Sequence, residues 1–135
     1  MKTTSNIPSS LRGAFVFHCI VDCIFAVPLF FFPEFFLSLL GWQTVDPLAA
    51  RLVAAALLGI GIESYLGRNS GVEAFKGMLN LKVIWSLAAV AGIGWSLAEG
   101  LHDRTVWLWI LLAIFVIFNG VWVYWRIRVG RMEAI

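Results

Sequence analysis

Four long apolar stretches alternate with short polar ones along this chain, and that rhythm predicts its architecture. Apolar side chains run almost unbroken from about residue 13 to 32, 47 to 66, 78 to 98 and 106 to 125. A helix needs ~20 such residues to cross the ~30 Å hydrocarbon core of a bilayer, so each stretch is long enough for one span. A helix also keeps its backbone hydrogen bonds within the segment, which lets it enter a medium that offers none. The pattern predicts an all-α fold: an integral membrane four-helix bundle with short loops, one transmembrane domain over residues 1–135.

Local signals refine the boundaries. Ser9 or Ser10 is placed to cap a helix beginning near Leu11. Pro28 falls inside the first stretch, cannot donate to the carbonyl of Ile24, and predicts a kink. Pro33 and Glu34 open a short amphipathic piece, Phe35-Phe36-Leu37-Ser38-Leu39-Leu40, closed by Gly41 and Trp42. It reads as a small interfacial helix after the first span. Asp46-Pro47 is a helix start with Asp as N-cap and Pro in the first turn, and Gly67 is placed to stop that helix. The first stretch is too long for a cleaved leader and lacks a small-x-small cleavage site, so it is expected to be retained.

Composition sharpens this picture. Charged residues make up 13% of the chain, about half the ~25% a soluble domain needs for its surface, so much of this surface faces lipid. The net charge of +2 is too small, and its residues too scattered, for a nucleic-acid partner. The basic residues instead mark alternate segments: Lys2 and Arg12, then Arg68 and Lys76, then Arg126, Arg128 and Arg131. The intervening connections hold Arg104 against Glu34, Asp46, Glu99 and Asp103. Lys and Arg accumulate on the cytoplasmic side, so both termini are expected inside. Trp42, Trp107 and Trp109 then fall at the outer interface, and Tyr65, Trp122, Tyr124 and Trp125 at the inner one. No sustained repeat is visible, which argues against an inverted-repeat transporter within one chain.

Helices associate in lipid through small residues and polar contacts rather than through apolar bulk. Ala55, Gly59 and Glu63 form one stripe in the second span. Ala88, Gly92 and Ser96 form another in the third, with Lys82, Ser86 and Ala89 nearby. The expectation is that spans two and three are central and tightly packed, with the bulky fourth more exposed to lipid.

Ionisable groups inside a span cost at least ~2.5 kcal/mol at its centre, so each calls for an explanation. Asp22 sits near the bilayer midplane, and its short side chain cannot reach the surface as a lysine can. It suggests a proton or cation site, tuned by His18 one turn away on the same face. The bland alternative is a protonated or internally paired side chain that fixes helix register. Glu63 and Lys82 lie at similar depth in neighbouring spans, where a salt bridge would act as a structural clasp. Arg51 is expected to snorkel outward, with an inward reach to Asp22 as the alternative, and Asn119 to hydrogen-bond between helices. Cys19 and Cys23, four apart, lack both redox spacing and disulfide geometry. They project about 100° away from His18 and Asp22, so one helix cannot wrap a metal with all four. His102, in a loop beside Asp103, has no ligand partner in the sequence. No nucleophile–base set, phosphate loop or haem motif appears, so no cofactor is expected and the balance leans away from an enzyme.

The segment Arg51-Leu52-Val53-Ala54-Ala55-Ala56-Leu57-Leu58-Gly59-Ile60-Gly61, with Gly67-Arg68-Asn69-Ser70 and Leu81-Lys82-Val83-Ile84-Trp85-Ser86, resembles small uncharacterised four-span prokaryotic membrane proteins. More loosely it resembles the DoxX-like group. The resemblance implies a four-helix bundle in a prokaryotic cytoplasmic membrane and no particular reaction, since that group mixes oxidoreductase subunits with members of unassigned role. Three functions fit the sequence. The first is an accessory, scaffold or binding subunit that self-associates or joins a larger membrane complex. The second is a small proton-coupled transporter or channel using Asp22, a homo-oligomer similar in general plan to small multidrug transporters but without their third-span pattern. The third is a lipid or quinone site lined by the aromatics.

Overall fold

The computed structural model describes residues 7–100 and 105–132. His102, Asp103 and Arg104, the first six residues of the N-terminal tail and the last three of the basic tail lie outside the described residues. The fold is all-α, with no strand among the described residues. Helix α1 spans Ser9–Phe31, α2 Pro33–Leu39, α3 Pro47–Leu66, α4 Val72–Ala98 and α5 Thr105–Arg131, with a 3₁₀ turn Gly67–Asn69 after α3. Four of these, α1, α3 with its following turn, α4 and α5, are long and apolar enough to cross a membrane.

Boundary signals act as the residues suggest in some places and differently in others. Asp46 caps α3 through its carboxylate, which accepts from Leu48 N at 2.9 Å and Ala49 N at 3.2 Å. The serines do not cap α1: the helix starts at Ser9, and the Pro8 carbonyl accepts from Leu11 N and Arg12 N at 3.0 and 3.2 Å. Gly67 ends α3 with right-handed φ −78°, so the chain tightens into the 3₁₀ turn instead of reversing. Gly41 has φ +86°, and there glycine is required, because a Cβ would clash in the left-handed region. Helix α4 begins six residues earlier than its apolar stretch, at Val72 behind the N-cap Gly71. Its first turn carries Glu73, favoured near the positive end of the helix, and Phe75 is fully buried there. Helix α5 likewise runs on through Arg126 and Arg128 to Arg131, cations suited to a helix C-terminus.

The described helices fall into two compact units, one over Pro8–Asn69 and one from Ser70 onward. In the first, α1 packs antiparallel on α3, with α2 tucked at the end where α1 stops. In the second, α4 packs on α5. The close partner of the second span is thus the first, and that of the third is the fourth.

Phase explains which face of α3 is used. The small residues Ala50, Ala54 and Gly61 and the hydroxyl of Ser64 are buried, whereas Ala55, Gly59 and Glu63 are exposed. On α4 the buried stripe is Val72, Phe75, Leu79, Lys82 and Ser86, while Ala88 and Gly92 are exposed and Ser96 is half-buried. The expected small-residue stripes therefore lie outside these helix pairs. Small side chains permit close approach on any face, and here the buried face is the one that holds Ser64 on α3 and Lys82 and Ser86 on α4, while Glu63 stays outside.

Candidate functional site

Helix α1 buries Leu11, Phe15, His18, Asp22, Ala26 and Leu29, a spacing of three and four residues that forms one stripe facing α3. His18 and Asp22 are members of that stripe, 6% and 5% exposed. One turn apart, they meet: His18 Nδ1 lies 3.1 Å from Asp22 Oδ2. Opposite them α3 presents Gly61. A Cβ added at Gly61 would stand 2.8 Å from Asp22 Cβ and 3.1 Å from Oδ2, closer than packing allows. The missing side chain is what admits the backbone of α3 to the carboxylate. Ser64, one turn further along, is also buried and donates to the Ile60 carbonyl at 2.6 Å.

On the side toward α2 the pair is roofed by apolar packing. Ala26, Leu29, Ala50 and Ala54 form a buried cluster against which Phe30, Phe36, Leu37, Val45, Leu57 and Leu58 pack. Phe36 of α2 also meets Phe25 edge-on, centroids 6.3 Å apart, so the interfacial helix is anchored to this cluster. Two arginines close the ends of the α1–α3 pair reciprocally. Arg12, near the start of α1, donates to the Arg68 carbonyl past the end of α3 and lies 3.5 Å from Asn69 Oδ1. Arg51, near the start of α3, donates through Nε to the Phe30 carbonyl at the end of α1, at 3.2 Å. Each guanidinium thus meets carbonyls at the negative end of its partner helix, which have no helical donor of their own. Arg51 is exposed, and Phe30 is about 12 Å along α1 from Asp22 at ~1.5 Å per residue, so Arg51 serves the helix end and not the carboxylate.

The α4–α5 unit holds a second polar group. Lys82 is 2% exposed and stands about 15 Å along α4 from Val72 at ~1.5 Å per residue, deeper than its apolar stretch alone suggests. Its Nζ lies 4.9 Å from the ring centroid of Trp122 on α5, within cation–π range. Trp122 is itself buried and stacks on Phe118, centroids 5.9 Å apart and 11° from parallel. It therefore packs the helix pair instead of anchoring an interface. Asn119 bridges the helices, its Nδ2 donating to Val83 O at 3.1 Å and Ser86 Oγ at 3.0 Å, while Ser86 Oγ donates to Lys82 O at 2.7 Å. Arg126 extends this ladder toward the helix end by donating to Asn80 Oδ1 at 2.5 Å. Glu63 is exposed on α3, in the other unit.

Cys19 and Cys23 form no disulfide and are half-buried beside the His18–Asp22 stripe. Among the described residues no group of three or more His, Cys, Asp or Glu is arranged to hold a metal ion. The feature that reading the sequence missed is Gly61, whose importance depends on which face of α3 is buried. The signal was present: Ala54 and Gly61, seven apart, sit on one face, and both are small.

Chemically, an imidazole in contact with a carboxylate away from water can hold one proton between them and remain neutral overall. Adding or removing a proton leaves a net charge in an apolar surrounding, so any such change is coupled to helix packing or to a second ion. Four apolar helices with this buried group define a small multi-pass helical membrane protein. The chain matches no protein-family model, no curated protein and no solved structure.

Proposed function

We propose that this protein is a proton-coupled membrane protein, a small transporter or channel, in which the His18–Asp22 pair takes up and releases the proton. The observation that carries the reading is a carboxylate and an imidazole 3.1 Å apart, both buried near the middle of a span, with a glycine of the next span against the carboxylate. A purely structural pair has little need of a titratable base beside the acid, since an Asn would fix register at lower desolvation cost. Four spans return the chain to the side where it began. The bias of Lys and Arg toward alternate segments supports a cytoplasmic location for that side, and the resemblance to prokaryotic four-span proteins supports a cytoplasmic membrane as its setting. The test is purified protein in sealed vesicles carrying an entrapped pH dye and a potassium diffusion potential. The wild type is expected to pass protons and Asp22→Asn to fall to the level of empty vesicles. Equal flux in both, or none in the wild type, would overturn the proposal.

A second reading is an accessory, scaffold or binding subunit that self-associates or joins a larger complex. The exposed small residues favour it: Ala55 and Gly59 on α3 and Ala88 and Gly92 on α4 leave room for the backbone of another helix. Subunit counting by native mass spectrometry, with Gly59→Leu and Gly92→Leu as comparison variants, tests it. The reading is lost if the wild type is a monomer, or if both variants leave its assembly unchanged.

A further inference from the structure

The end of the α1–α3 hairpin carries a groove that neither the proton reading nor the packing uses. It is an open depression of about 520 Å³ lined by Glu34, Phe35, Ser38, Trp42, Gln43 and Val45. Its shape follows from the turn after α2. Leu37 O accepts from Leu40 N and Trp42 N, and Ser38 O accepts from Gly41 N, all at 3.0 Å, while Gly41 takes φ +86°. These bonds fold the chain back on the helix and bring the Trp42 indole alongside the same groove as Glu34, one turn before Ser38.

The groove sits where α1 ends and α3 begins, at one surface of the bilayer if those helices span it. Phe35 lines the groove, and Phe31, Phe32 and Leu39 on the same stretch of chain are also well exposed, side chains that belong among acyl chains and not in water. Within it the chemistry changes. Glu34 offers an exposed carboxylate, Trp42 an indole and Gln43 an exposed amide, whereas the Ser38 hydroxyl is already committed to Phe35 O at 2.7 Å. A carboxylate beside an indole suits an organic ammonium, and an amide suits a phosphate oxygen next to it.

We propose that this groove binds the headgroup of a zwitterionic phospholipid. The lipid ammonium lies between Glu34 and Trp42, its phosphate accepts from the Gln43 amide, and its acyl chains run beside Phe35 and Leu39. The occupant is a bilayer lipid because Phe35 lines the groove and Phe31, Phe32 and Leu39, exposed on the same stretch of chain, are covered by acyl chains when a lipid headgroup fills it. The proposal rests on the chain lying in a bilayer and is independent of the His18–Asp22 reading. A loss of proton flux leaves it standing, and a loss of lipid selectivity leaves the proton reading standing.

The test is native mass spectrometry of the full chain released from nanodiscs that hold equal amounts of phosphatidylethanolamine and phosphatidylglycerol with matched acyl chains. The wild type is expected to retain phosphatidylethanolamine in excess, and Glu34→Gln to reduce that excess about fivefold, the scale of one charge-assisted contact. Trp42→Leu is expected to act in the same direction. Glu34 is exposed, so its substitution is expected to leave thermal stability unchanged, which separates lost binding from lost folding. Equal retention of the two lipids by the wild type, or an excess that survives Glu34→Gln, would overturn the proposal.

Discussion

The α1–α3 pair buries an acid, Asp22, and the α4–α5 pair buries a base, Lys82, and the two pairs accommodate their charges by different physical means. Asp22 is short and cannot reach an interface, so the protein brings the partner backbone to it, through Gly61, and sets His18 against it. Lys82 is long and buried, and its ammonium rests over Trp122. The first pair works by omission of a side chain, the second by filling space with the largest one available. The first is also tied at both ends by arginines on carbonyls, whereas the second is laced along its length by Asn119, Ser86, Arg126 and Asn80.

Truncation separates the two modes most sharply. Trp122→Ala is expected to destabilise the protein by ~3–5 kcal/mol, the range for emptying a packed aromatic site. Unfolding in mixed micelles of rising SDS content measures it, and a cost below ~1 kcal/mol would remove Trp122 from the packing role. The opposite perturbation belongs to α3. Gly61→Val is expected to cost ~1–3 kcal/mol by overpacking against Asp22. Gly59→Ala, two residues away with nothing within 4 Å, is expected to be neutral or to stabilise by up to ~1 kcal/mol through helix propensity. If both glycines respond alike, the close approach of α3 to Asp22 is wrong.

Smaller effects sharpen the second pair. Asn119→Ala removes the bonds to Val83 and Ser86 and is expected to cost ~0.6 kcal/mol, the average for an interhelical hydrogen bond in lipid. The smallest effect is at Arg51, an exposed side chain on a helix-end carbonyl. Arg51→Gln is expected to change stability by no more than ~0.5 kcal/mol and to leave proton flux intact. A loss of flux in that variant would instead place Arg51 in the functional site.

Most of the fold was legible in the sequence because length and apolar run decide what crosses a bilayer, and Asp46-Pro47 and Gly41 carry unambiguous backbone chemistry. Helix α4 was harder to delimit because Glu73, Lys76 and Asn80 interrupt its apolar run, and only packing reveals that Phe75 and Leu79 belong to the buried stripe. Asp22 and His18 stood out because charge in lipid is costly wherever it points. Their glycine partner did not, because a membrane helix is apolar all round and its buried face cannot be read from hydropathy. Ala55–Gly59 and Ala54–Gly61 are equally good small-residue patterns on paper. The reach of Lys82 to Trp122 was likewise hidden, since an aromatic near a span end reads first as an interface anchor.

The most direct test of the buried acid–base pair is pH-difference infrared spectroscopy of the protein in lipid, following the carbonyl stretch of protonated carboxyl groups. The account predicts a titrating band at the position of a weakly hydrated carboxyl, lost in Asp22→Asn and shifted in His18→Gln. The same band, unchanged in both variants, would contradict it.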